Sequence, residues 1–181
     1  VVLGDFENQQ LGGSVSGAGD VNGDGFDDIV IGLSGYINGE TNVGAAKVIF
    51  GSANGISLSS AVMWIGEEKS DMAGKSVGSA DVNGDGMGDI LVGAPGHGGT
   101  LGAAYVVLGC PPPNNEDCWG AASQALADAD AKLNGQMDDI AGSAVAGGGD
   151  VNSDGYEDIL IGAPDPYGYG FNNYGAVYLV L

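Results

Sequence analysis

The chain has 181 residues, 36 of them glycine, and its 24 acidic against 4 basic residues give a formal net charge of −20. That balance argues against binding nucleic acid or an anionic membrane surface, both of which need positive charge to displace counterions. Hydrophobic residues make up 44% in short Val/Ile/Leu runs, which excludes a disordered acidic tail, and no run approaches the roughly 20 apolar residues of a membrane span. The length suits one domain with a core of its own. The opening Val1-Val2-Leu3-Gly4-Asp5 has neither a basic n-region nor a long apolar stretch. Any signal peptide is therefore expected to have been removed.

The chain reads as three copies of one unit. Gly13-Ser-Val15 is the first strand signal, and Lys75-Ser-Val77 and Ser143-Ala-Val145 repeat it. Next comes Asp20-Val-Asn-Gly-Asp-Gly-Phe-Asp-Asp28, repeated as Asp81-Val-Asn-Gly-Asp-Gly-Met-Gly-Asp89 and Asp150-Val-Asn-Ser-Asp-Gly-Tyr-Glu-Asp158. Each loop runs into a branched apolar segment, beginning at Ile29, Ile90 and Ile159, and a further strand-like run follows at residues 44–50, 102–108 and 175–181. Val, Ile and Tyr in runs of four to seven bounded by Gly predict strands. A unit of sixty-odd residues with about four short strands has the size of a propeller blade. The units divide as residues 1–62, 63–130 and 131–181.

The termini set the register. Residues 1–15 align without a gap to residues 63–77 and 131–145, so Val1, Val2 and Leu3 correspond to the outer strand of a preceding blade. Leu181 aligns with Phe50, so the third unit is expected to lack an outer strand of its own.

Each Asp-x-Asn-x-Asp-Gly-x-x-Asp loop (Ser replaces the first Gly in the third) sets oxygen side chains at positions 1, 3, 5 and 9. Ca²⁺ takes six to eight hard oxygen ligands, and three short side chains at alternate positions converge only if the backbone turns sharply at position 6. Gly25, Gly86 and Gly155 supply that turn, because glycine accepts positive φ. The next residue then offers its carbonyl, so its side chain is free to vary. The predicted ligands are Asp20, Asn22, Asp24, Phe26 and Asp28; Asp81, Asn83, Asp85, Met87 and Asp89; and Asp150, Asn152, Asp154, Tyr156 and Asp158. Mg²⁺ demands a stricter octahedron. An EF-hand would need Glu at position 12, where Ile31, Val92 and Ile161 stand instead. The bland alternative, an acidic turn without metal, is weakened by three complete copies. Three Ca²⁺ ions would bring the charge of −20 to about −14.

The ordered set Gly-x-Ser-Val, Asp-Val-Asn-Gly-Asp-Gly-x-x-Asp-Ile, Val-Gly-Ala-Pro and Gly-Ala-Ala-Tyr-Val-Val resembles the FG-GAP repeats of the integrin α-subunit β-propeller and its bacterial relatives, over essentially the whole chain. The resemblance implies an all-β fold of four-stranded antiparallel blades with a calcium loop between first and second strands. It also implies extracellular placement, and adhesion or assembly rather than catalysis. Such propellers usually have seven blades, whereas three are encoded here, so the arc is expected to be a partial propeller completed by strand exchange with another chain. Val1, Val2 and Leu3 would pair with residues 177–181 (Val177 to Leu181) of a second copy. A six-bladed ring and a head-to-tail filament both satisfy that pairing, with the filament favoured.

The remaining features are local. Cys110 and Cys118 bracket an insertion in the second unit and are expected to form a disulfide, as suits an exported protein. His97, the single histidine, sits in Gly96-His-Gly-Gly99 and reads as a solvent-exposed loop residue rather than a catalytic base. Asp138 and Asp139 read as an inter-blade turn rather than glycosidase carboxylates. Trp64 falls in a predicted strand and should pack between blades; together with Trp119 it could otherwise stack on a sugar. The function expected from these features is a non-enzymatic, calcium-binding structural protein that assembles with itself. The alternative is an adhesion or recognition module binding an extracellular protein or glycan. Nothing beyond the abundance of Asp supports an enzyme.

Overall fold

A computed structural model describes residues 9–39, 41–56, 61–111, 119–136, 138–164 and 175–181. Strands β1 (Leu11–Gly19) and β2 (Asp28–Leu33) pair antiparallel across the first Asp-rich loop. A small hairpin of β3 (Ile37–Asn38) and β4 (Thr41–Asn42) leads into β5 (Ala45–Ile49), which returns along β2, and β6 (Val62–Ile65) adds to β5. The second blade repeats the pattern with β7 (Ser76–Ala80), β8 (Asp89–Ala94) and β9 (Ala103–Val107). The chain then detours through β10 (Ser123–Ala125) and a 3₁₀ turn at Leu126–Asp128 before β11 (Ala131–Asn134) pairs with β9. The third blade is β12 (Ala144–Gly149), β13 (Asp158–Ala163) and β14 (Ala176–Val180). The fold is the expected all-β partial propeller.

Equivalent residues occupy equivalent registers: Ile29 lies opposite Ile49, Ile90 opposite Val107 and Ile159 opposite Val180. Among the described residues, the first sheet departs from about four strands per blade. The first sheet has five strands, because β10 pairs parallel to β6, with Ser123 opposite Met63; the third has three, with β14 at its edge. The detour thus covers the outer edge of the first blade, where exposed backbone donors and acceptors would invite foreign strands.

The blades stack face to face. Val30, Val48 and Trp64 of the first meet Val77, Ile90 and Val107 of the second in one core cluster. Leu91, Ala104 and Val106 of the second meet Val145, Ile159 and Ile161 of the third in the next. Successive side chains of a strand point to opposite faces, so β8 and β9 feed both clusters and are buried along their whole length. This explains why their sequences are continuous apolar runs rather than alternating ones. β14, with one face covered, alternates between exposed and half-buried residues.

Polar contacts fix the spacing between blades. Ser79 Oγ donates to the Ala18 carbonyl at 2.8 Å and Ser76 Oγ to that of Gly142 at 2.8 Å. The Gly88 amide donates to the Asp20 carbonyl at 3.3 Å, and Glu157 N to that of Asp81 at 3.0 Å. At Gly88 the neighbouring backbone comes so close that a Cβ would collide with the Ala18 carbonyl.

Trp64 packs between blades as expected, and Trp119 joins it in the same core cluster. The Trp119 ring meets Trp64 edge-on at 6.3 Å and Phe50 at 5.8 Å, while its Nε1 donates to the Val21 carbonyl at 3.2 Å. The Cys110 amide donates to the same carbonyl at 2.8 Å. Cys110 is buried in this cluster; Cys118 lies outside the described residues, as do Val1, Val2 and Leu3.

Trp119→Ala should cost about 3–5 kcal/mol, the usual loss for emptying a large aromatic site. Chemical denaturation of the purified variant measures this, and a loss below about 1 kcal/mol would mean that the detour is not part of the core.

Candidate metal loops

The three Asp-rich loops connect β1 to β2, β7 to β8 and β12 to β13, and they share one internal geometry. The carboxylate at position 1 accepts the amides of positions 5 and 6: Asp20 from Asp24 and Gly25 (3.1 and 2.8 Å), Asp81 from Asp85 and Gly86 (3.1 and 2.9 Å), and Asp150 from Asp154 and Gly155 (3.0 and 3.0 Å). Position 3 accepts the position-5 amide through Oδ1, at 3.0 Å in Asn22, 3.0 Å in Asn83 and 2.8 Å in Asn152. Position 5 accepts the position-7 amide, from Phe26, Met87 and Tyr156 in turn. Side chains at alternate positions therefore fold onto one tight turn.

The turn depends on left-handed backbone at two places. Position 6 has φ of 90°, 85° and 98° at Gly25, Gly86 and Gly155. Position 4 is left-handed as well, at 70° and 72° in Gly23 and Gly84, and at 63° in Ser153. Glycine at position 6 makes the first requirement legible in the sequence, whereas the second is not part of the predicted turn. The Asn-Gly pairs held the signal, since glycine accepts this region without steric cost.

The carboxylate at position 9 plays a different part. Asp28, Asp89 and Asp158 open the second strand of each blade and are buried. Their Oδ2 atoms accept the position-2 amides of Val21, Val82 and Val151 at 2.9, 2.8 and 2.7 Å. Oδ1 of Asp28 accepts the Gly51 amide, and Oδ1 of Asp89 the Gly109 amide, each at 2.7 Å. Asp158 Oδ1 is buried and has no hydrogen-bond partner among the described residues. Burial raises the Asp28 and Asp89 carboxyls to about 6. The two backbone amides pull each value down, and the neighbouring loop carboxylates push it up.

The loops gather their oxygens without collapsing them. Among the described residues, no loop brings three carboxylates within 4.8 Å of one another. Backbone donors hold the like charges apart. Carboxylates, an amide carbonyl and a turn that frees backbone oxygen make a hard donor set, so the residues fit Ca²⁺ in type. Phe26 and Tyr156 expose their side chains, in keeping with a position whose contribution is its backbone.

His97 departs from the sequence expectation. It is buried rather than solvent-exposed, with 7% of its surface accessible. The Gly-rich loop folds inward because the His97 amide donates to the Ala94 carbonyl and the Gly96 amide to the Asp71 carbonyl. The ring lies 3.3 Å from Asp71 Oδ1 and 3.3 Å from the Tyr105 hydroxyl. Asp139 sits in a turn between blades as expected, capping the Gln136 amide at 2.9 Å and accepting the Tyr178 hydroxyl. No helix among the described residues is long and apolar enough to cross a membrane.

Comparison with known proteins places these features in a wider set. The FG-GAP repeat model matches residues 11–49, 73–107 and 141–180. Integrin alpha-V of Gallus gallus is 34% identical over 180 residues, covering 96% of this chain and 15% of that protein. Integrin alpha-6 of Gallus gallus is 34% identical over 140 residues (75% and 12%), and integrin alpha pat-2 of Caenorhabditis elegans 29% over 192 residues (97% and 14%). The chain thus spans about one-seventh of the length of these relatives.

The raised Asp28 and Asp89 carboxyls set a pH dependence. In the unfolded chain an aspartate titrates near 3.9, below the folded value of about 6. Their contribution is fully present below about pH 4 and is lost as pH rises through about 6. In chelator, urea unfolding of the Asp28→Asn/Asp89→Asn variant should show a shallower loss of stability from pH 4 to 6.5 than the parent. Equal slopes would place the titration elsewhere.

Proposed function

The chain belongs to the FG-GAP repeat family, and from that premise we propose that it is a non-enzymatic, calcium-binding structural protein of the cell exterior that assembles with copies of itself. Each loop would hold one Ca²⁺ through the side-chain oxygens of positions 1, 3, 5 and 9 and a position-7 carbonyl. Calcium would neutralise loop carboxylates and stiffen the joints between blades.

The observation that carries self-assembly is the match between the two open faces of the arc. Leu160, Val177 and Leu179 are 36%, 70% and 47% exposed, whereas their counterparts in the second blade, Leu91, Ala104 and Val106, are at most 4% exposed beneath the third. At the other end Val15 is 65% exposed, while its counterparts Val77 and Val145 are buried against a preceding blade. One copy therefore presents both halves of a contact that the chain already makes twice internally. The β14 edge and a cavity of about 410 Å³ beside Tyr156 and Leu181 both suit an added strand. Val1, Val2 and Leu3 of a neighbouring copy would supply it by β-augmentation. A Cys110–Cys118 crosslink belongs to the same reading, since it would staple the detour that carries Trp119. The integrin likeness favours a second reading, recognition of a protein or glycan within a larger propeller.

Protein equilibrated with calcium should retain about three equivalents by elemental analysis, and Asp85→Ala about two. Chelation should lower the melting temperature, because a ligand at 100 times its Kd adds about 2.7 kcal/mol per site. No bound calcium would end the metal part. For assembly, light scattering and negative-stain imaging in calcium should show rings or filaments that Val177→Asp/Leu179→Asp reduces to monomers. A parent chain that is already monomeric at high concentration would favour the second reading.

A further inference from the structure

The end of the second blade opposite its Asp-rich loop carries a side-chain cluster that the calcium reading leaves unused. Asp71 follows β6, His97 lies in the β8–β9 connection, and Glu68 stands beside them. One ligand atom from each falls within 4.8 Å of the others. We propose that Glu68, Asp71 and His97 form a site for a transition-metal dication of the Zn²⁺ type, separate from the Asp-rich loops.

The carboxylate at its centre is preorganised. Asp71 has no exposed surface, and its Oδ2 accepts the amides of Glu67 at 3.0 Å and Glu68 at 2.7 Å. That leaves Oδ1 directed at His97 Nδ1, 3.3 Å away. Two ligands of a tetrahedral zinc with bonds of about 2.0–2.1 Å are separated by roughly 3.3 Å, so the pair already has the spacing of one tetrahedral edge. The backbone amides on Oδ2 act as the outer hydrogen bonds that orient a metal-binding carboxylate. Glu68 is exposed, giving a third ligand and a path from solvent; water would complete the coordination.

Charge and comparison between repeats point the same way. Lys132 is committed to Glu67, with its ammonium 3.0 Å from both oxygens. Besides the Glu67 and Glu68 amides, the His97 ring faces the buried Asp71 charge, and a buried carboxylate needs compensation. The third blade needs no imidazole at this place, because the Tyr178 hydroxyl donates directly to Asp139. In the second blade His97 is wedged between the corresponding Tyr105 and Asp71, so the imidazole is an addition to the repeat rather than a requirement of it. An imidazole beside two carboxylates suits Zn²⁺, whereas the all-oxygen loops suit Ca²⁺.

The test is Zn²⁺ calorimetry on the full chain in excess Ca²⁺, which blocks the hard-oxygen loops, with Co²⁺ absorption reporting coordination. One equivalent should bind, with the strong visible bands of a four-coordinate ion. His97→Gln should weaken it by about tenfold or more, comparable to effects of disturbing a metal's supporting shell. Glu68→Gln, at an exposed position that leaves folding intact, should weaken it as well. No Zn²⁺ uptake by the parent chain, or unchanged affinity in Glu68→Gln, would overturn the proposal. Failure of the calcium loops would not affect this result, because the two sites share no residue.

Discussion

The buried aspartate at the ninth loop position holds each blade together. One carboxylate oxygen takes the amide at the start of the loop, and in Asp28 and Asp89 the other takes the amide just beyond the third strand. A single side chain thereby joins the first turn of the loop, the start of the second strand and the end of the third. The burial that lets it satisfy these amides also raises the cost of its charge. The neighbouring loop carboxylates add to that cost, so a positive charge held in the loop would relieve a penalty in the core.

The spacing between blades follows from the same economy of atoms. Neighbouring inner strands approach until main-chain and serine oxygens meet, as Ser79 with Ala18 and Ser76 with Gly142, and side chains are excluded where backbones nearly touch. Gly88 takes a place that Asp27 and Glu157 fill in the other loops, because the Ala18 carbonyl leaves no room for a Cβ. Departures from the repeat thus mark contacts between repeats rather than drift. The insertion in the second unit is another case. It returns to the first blade, pairs β10 with β6 and delivers Trp119 into the slot between Phe50 and Trp64.

The extent of burial depends on position in the arc. Residues with matching sequence positions have opposite environments: Val106 is in the core while Leu179 is at the surface. The apolar run of β14 is written for two covered faces, as β9 is, yet only one face meets another blade. Such a face is costly to leave in water, and the energetic case for an added partner rests there.

Periodicity and spacing in the sequence determined most of the architecture: three repeats, their strands and the pairing of those strands, and the placing of Asp20, Asn22, Asp24 and Asp28, with their counterparts, on one loop each. Those features are local, because a glycine turn and alternating apolar residues act over a few positions and recur. Tertiary structure alone decided the rest. His97 reads as a loop residue because its glycine neighbours are flexible, and it is buried because Asp71 and Tyr105, 26 residues before it and 8 after it, close over the ring. Trp119 has no repeat counterpart to betray its place; it packs against a blade whose nearest loop residue, Val21, is 98 positions away. Contacts at such separations depend on how blades stack, and stacking is set by the summed fit of two whole faces, which no short pattern of residues encodes.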